Sequence, residues 1–124
     1  MKKEIADRWV EALESGKYPQ TKGRLRDSDG FCCLGVLCEL AVADGVAKSE
    51  EHKLRSFSQW RYQDATGGDL SFSRLPVVVK EWAGMNSEGG TRSGRKRKLW
   101  ELNDNSGYSF KRIAKVIRNE YEEL

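Results

Sequence analysis

Apolar positions recur at helical spacing near both ends of the chain and crowd together once in between. Ile5, Ala6, Trp9, Ala12 and Leu13 fall three and four apart, on one face of a helix predicted over 2–15. Gly16 is placed to cap it, and Tyr18-Pro19 stops any continuation. Gly23-Arg24-Leu25-Arg26 then alternates, as in a strand with Leu25 inward and both arginines outward. Asp27-Ser28-Asp29-Gly30 is turn chemistry, so a short hairpin is expected whose second arm begins at Phe31. The longest apolar run follows, bounded by Gly30 and Gly45. It exceeds ordinary strand length and predicts a helix over 33–43, with Leu34, Leu37, Cys38, Ala41 and Val42 on one face. Gly35 inside that helix costs about 1 kcal/mol relative to alanine, which implies close packing there.

The second half is more polar. Residues 46–56, with Ser49-Glu50-Glu51-His52-Lys53, read as a loop. Phe57 to Tyr62 reads as a strand, Thr66 to Asp69 as a turn, and Leu70-Ser71-Phe72 as its return strand. Pro76 suits the first turn of a short helix ending at Gly84. Residues 86–94 read as a mobile loop, Arg95-Lys96-Arg97-Lys98 leads from it into Leu99-Trp100-Glu101-Leu102, and 103–107 read as a turn. Ser109 is a candidate N-cap for a helix over 110–122, buried through Phe110, Ile113, Ala114, Ile117 and Tyr121. Ser109 to Ile117 has the look of the first helix of a helix-turn-helix, but residues 118–124 leave no room for a recognition helix, so a packed helix is expected. Together these elements predict one α+β domain over 1–124, with three or four helices on a small, mostly antiparallel sheet.

Composition narrows the classes. The 124 residues carry a net charge of +3, too mild by itself to mark a nucleic-acid binder. Met1-Lys2-Lys3-Glu4 opens an amphipathic pattern rather than an apolar leader, and no apolar run approaches the roughly 20 residues that span a bilayer. With three cysteines, two of them adjacent, a reduced cytoplasmic protein without disulfides or membrane contact is expected.

Candidate chemistry is sparse. A zinc site needs four ligands at recurring spacings, and Cys32, Cys33, Cys38 and His52 do not supply them. A cysteine nucleophile needs a base, and only His52 could serve, so the thiols are expected to fill the core. Asp27 and Asp29 form a fragment of a calcium loop with no acid to close it; a turn is the simpler reading. Neither a dinucleotide fingerprint nor a Walker motif is present. No metal, cofactor or catalytic residue is therefore assigned.

Arg92, Arg95, Lys96, Arg97 and Lys98 form a basic run with no acid between Gly89 and Trp100, flanked by glycine and serine. Such a run attracts phosphates. Arg24 and Arg26 on the hairpin add charge, and Trp60 and Tyr62 offer rings on which a base can stack. The ligand-binding candidates are thus Arg24, Arg26, Trp60, Tyr62, Arg95, Lys96, Arg97 and Lys98, with a nucleotide or nucleic acid as partner. A protein-binding inhibitor anchored by exposed tryptophans is the alternative, and a small hydrolase using Cys33 or Asp27 and Asp29 a third.

Several segments occur together in order: Gly23-x-Leu25-Arg26, Phe31-Cys32-Cys33-Leu34-Gly35-Val36-Leu37-Cys38, Leu75-Pro76 with Glu81-Trp82-Ala83-Gly84, and Leu102-Asn103-Asp104 before Ser109-Phe110-x-x-Ile113-Ala114. This set resembles a family of small uncharacterised proteins of bacteriophages and prophages. The resemblance covers most of the chain outside 46–70 and 86–98 and brings no catalytic residue or cofactor. It implies a phage origin, work in the host cytoplasm, and an accessory role against host machinery or host defence.

Overall fold

The computed structural model describes residues 1–67 and 71–124. Helix α1, Lys3–Glu14, is followed by the two-residue strands β1, Arg26–Asp27, and β2, Gly30–Phe31. Helix α2, Cys33–Ala43, leads into the hairpin of β3, Ala47–Lys53, and β4, Ser58–Asp64. Helices α3, Val77–Ala83, α4, Leu99–Asp104, and α5, Phe110–Glu120, complete the chain, with a 3-10 turn at Tyr121–Glu123. The class is α+β: five helices pack on an antiparallel sheet ordered β2-β1-β4-β3.

α2 is the centre. Seven of its residues are buried, from Cys33 to Cys38 and Ala41, because it packs on α1, α3, α4, β2 and β3 at once. A helix apolar on nearly every side, Glu39 being its one charged residue, is covered on nearly every side. Gly35 explains how the hairpin fits against it: a Cβ there would sit 1.8 Å from the Leu25 carbonyl oxygen. The indole of Trp9, fully buried on α1, donates to the Cys33 carbonyl at 2.9 Å, so its polar atom is satisfied inside the core. Arg8 grips Asp44 just past α2 through two bonds of 2.9 Å, and Arg118 of α5 meets Glu14 of α1 at 2.6 Å.

Four features depart from the pattern read along the chain. Residues 47–53, expected as a loop, form β3. Every side chain in it beyond Ala47 is exposed, so it has no apolar alternation to reveal it. It is held by its ladder with β4 and by pairs such as Glu50 with Arg61 at 2.9 Å. Charge along an edge strand also discourages further pairing. Asn103 and Asp104 belong to α4 rather than to a turn, and α5 tightens into a 3-10 turn at Tyr121, leaving that ring half-buried. The return strand expected at 70–72 is a single bridge, Tyr62 to Ser71; Gly68, Asp69 and Leu70 lie outside the described residues.

Candidate functional site

The two halves of the expected basic and aromatic surface do not meet. Arg26 on β1 stands opposite both Phe31 and Trp60, and its guanidinium lies 4.9 Å and 4.0 Å from their ring centres. One face of Trp60, expected as a stacking platform, is therefore covered by Arg26. Tyr62 is fully buried, and its hydroxyl donates to Glu39 Oε2 at 2.7 Å. Burial first, and then the Glu39 carboxylate, push its ionisation well above the usual phenol range. It cannot stack on a ligand from there. Arg24 sends its Nε to Gln59 Oε1 at 2.7 Å and lies over Phe57. Gln59 and Trp60 are neighbours on β4 and point to opposite faces, so Arg24 and Arg26 end on opposite sides of the sheet. The alternation that placed them together fails because β1 begins only at Arg26.

The run after Gly89 is likewise divided, and it is tied down rather than loose. Arg92 is buried; it donates to Glu120 Oε2 at 2.6 Å and to the Arg97 carbonyl at 2.8 Å. Arg95 meets the other Glu120 oxygen at 2.8 Å. Burial works against the Glu120 carboxylate, but the hydrogen bonds and charges of Arg92 and Arg95 outweigh it, and the group titrates below its usual range. Arg97 donates to the Ser106 hydroxyl. Lys96 is exposed. Lys98 is the N-cap of α4, and its backbone N–H donates to Glu101 Oε2 at 2.7 Å.

Of these candidates, Lys98 alone lines the main cleft, a space of about 580 Å³ between the approach to α3, the 86–91 segment and α4. Two cations that the sequence reading passed over join it there: Arg74, ahead of Pro76, and Lys80, in the middle of α3. Trp100, exposed to 36%, supplies an aromatic wall. Glu88 and Asp104 bring carboxylates, and Ser73, Ser87 and Thr91 bring hydroxyls. The walls are held by backbone bonds, Leu75 N–H to the Glu88 carbonyl at 3.2 Å and Leu99 N–H to the Gly90 carbonyl at 3.1 Å. Buried Leu75 and Leu99 anchor both sides. Gly89 has a reason to be glycine: a Cβ would come within 3.1 Å of Trp100 Cδ1 and 3.2 Å of Lys98 Cδ. Nothing local announced Arg74 or Lys80, which stand far from the basic run in sequence. The one available signal was an aromatic residue two positions after Lys98.

The thiols are interior. Cys32, Cys33 and Cys38 are free and buried, and Cys33 Sγ points to the Leu99 carbonyl at 3.7 Å. Burial pushes Cys32 up to about 12 and the other two well above the usual thiol range. Asp27 Oδ1 accepts from the Asp29 N–H at 2.9 Å, which is turn geometry. Among the described residues, no three or more His, Cys, Asp or Glu side chains gather to hold a metal ion. No helix there is long and apolar enough to cross a membrane.

No curated protein and no solved structure matches the chain. A family model described as a domain of unknown function, DUF8296, matches residues 1–121, and the chain belongs to that family.

Proposed function

We propose that this chain is a non-enzymatic binding protein that takes a phosphate-bearing ligand in the cleft beside Trp100. One observation carries the reading: Arg74, Lys80 and Lys98 come from three separate segments and line the same cavity. Cations gathered from distant parts of a chain repel one another, and an anionic ligand removes that penalty. The cavity volume lies within the range of small-ligand sites. Seryl and threonyl hydroxyls on the wall add donors of the kind phosphate oxygens accept. The reading moves away from the sheet, because Arg26 and Tyr62 already have partners there. No cysteine lines the cleft and each thiol is buried and held protonated, so a thiol nucleophile has no part in this reading. The likeness of the Phe31 to Cys38 motif to small phage proteins supports reading this binding as a phage accessory role in the host cytoplasm.

Titration calorimetry with pyrophosphate and nucleoside phosphates at two salt concentrations tests the proposal. Binding should weaken as salt rises, since Arg74 and Lys98 are exposed. The double substitution Lys80→Glu, Lys98→Glu should abolish it while leaving the melting temperature within a few degrees. Binding that survives this charge reversal, with an unchanged salt response, would rule the cleft out.

A further inference from the structure

The cleft pairs its cations with two carboxylates and one indole, and that combination says more about the ligand than its charge alone. A site that follows a single strand needs a continuous basic groove and a series of rings, over roughly 4–16 nucleotides in a single-strand binding fold. Here the cations are three, the accessible ring is one, and Glu88 and Asp104 line the same cleft from two different segments. A second or third backbone phosphate would be brought against those carboxylates. For one nucleoside phosphate the same arrangement is favourable, because its sugar hydroxyls and base N–H groups are donors that carboxylates accept.

We infer, resting on the phosphate-binding reading above, that the ligand is a single nucleoside phosphate: its base stacks on Trp100, its phosphate meets Arg74, Lys80 and Lys98, and its sugar or base donors meet Glu88 and Asp104. Three details of the fold favour this. Trp100 is one of three large apolar side chains that remain exposed among the described residues, and the only one in the cleft. Its indole and the stem of Lys98 both lie over Gly89, where an added Cβ would come within 3.1 Å and 3.2 Å of them, so ring and cation stand side by side. Asp104 is oriented too, since its Oδ1 accepts from Asn103 Nδ2 at 2.8 Å on the buried side of α4.

The test compares four ligands on the intact chain: nucleoside 5′-monophosphates, ribose 5-phosphate, pyrophosphate, and a single-stranded oligonucleotide of ten residues. Stacking on one ring should make the best mononucleotide roughly 10- to 100-fold tighter than ribose 5-phosphate. Trp100→Ala should erase that difference and leave ribose 5-phosphate affinity unchanged, which a merely unfolded variant would not do. Mononucleotide should also quench tryptophan fluorescence in the parent and not in Trp100→Phe, since Trp9 is fully buried and neither Trp60, under Arg26, nor half-buried Trp82, under Arg8, lines the cleft. Ribose 5-phosphate or pyrophosphate binding as tightly as every mononucleotide would overturn the inference and leave the phosphate site standing. An oligonucleotide that binds more tightly than any mononucleotide and loses affinity on Trp100→Ala would replace it with a strand-binding site. Failure of all four ligands would remove both readings.

Discussion

Asn103 caps a helix to which it does not belong: its Oδ1 accepts the Cys33 N–H, at the first turn of α2, over 3.3 Å. The same oxygen receives Gln20 Nε2 at 2.9 Å, and Nδ2 donates to the Thr21 carbonyl at 2.8 Å. Cys32, the N-cap position, has no side-chain bond of its own to offer. A fully buried amide on α4 thus satisfies the start of the central helix and the segment leading to the hairpin.

Asn103→Ala leaves the buried Cys33 N–H and the half-buried Thr21 carbonyl without this partner, each a loss of about 1–3 kcal/mol, while exposed Gln20 keeps its bond to the Tyr108 carbonyl. Partial relaxation should hold the net cost near 3 kcal/mol in urea unfolding. Asn105→Ala, two positions on and exposed, should change stability by less than about 0.5 kcal/mol. Equal effects from the two would show that the shared cap does not matter.

Gly35 makes a sharper case, since its neighbour is backbone. The added methyl of Gly35→Ala would overlap the Leu25 carbonyl, and no flexible side chain is there to swing away. Either α2 or the 23–26 segment must move. A loss of about 3 kcal/mol or more is expected, at or beyond the upper end for overpacked cores. Amide exchange should report faster opening at Leu25, whose N–H is bonded to the Phe72 carbonyl, and at Cys32, bonded to the Leu25 carbonyl. A stability gain, as for an ordinary glycine in a helix, would contradict the contact.

The pair of Arg92 with Glu120 behaves differently from surface ion pairs, because Arg92 has 7% of its side chain exposed and Glu120 16%. Glu120→Gln leaves a buried guanidinium without its counter-charge and should cost about 3 kcal/mol. Removing both partners, as Arg92→Met with Glu120→Leu, should recover most of it. The pH response has a definite sign. Folding lowers the Glu120 carboxyl below its ordinary 4.5, so the stabilisation is complete above that value and is lost as pH falls through the folded value. Acid unfolding curves of parent and Glu120→Gln should therefore converge at low pH; parallel curves would exclude the linkage.

How far the sequence announced this molecule depends on where apolar residues sit. α1, α2 and α5 were legible because Ile5, Trp9, Leu34, Leu37, Ile113 and Ile117 recur at helical spacing and are all buried. Ser109 was legible as a cap, and its hydroxyl does accept the Arg112 N–H. β3 was not, because an edge strand exposed on both faces carries no burial signal. The site was harder still. Local charge density pointed to Arg95 and Arg97, yet Glu120, 25 residues on, and Ser106, past the end of α4, draw those two away. Arg74 and Lys80 reach the cleft through the packing of α3 against its neighbours, which no short window contains.

The interior thiols give the fold an alkaline limit. Burial holds Cys32 protonated up to about 12, against an ordinary thiol value of 9.0, and holds Cys33 and Cys38 higher than ordinary as well. The unfolded chain releases these protons first. Above pH 9 the native state therefore binds more protons than the unfolded one, and stability must fall as pH rises. Each thiol contributes a slope of up to about 1.4 kcal/mol per pH unit, complete stabilisation being present below pH 9. Urea unfolding at pH 8, 9 and 10 should show the decline, and Cys32→Ala should reduce its slope by the share of one thiol. A disulfide reagent at pH 8 should leave the folded chain unmodified and label all three cysteines once urea unfolds it, whereas rapid labelling of the folded chain would place a thiol within reach of solvent and undo the assignment of sulfur to the core.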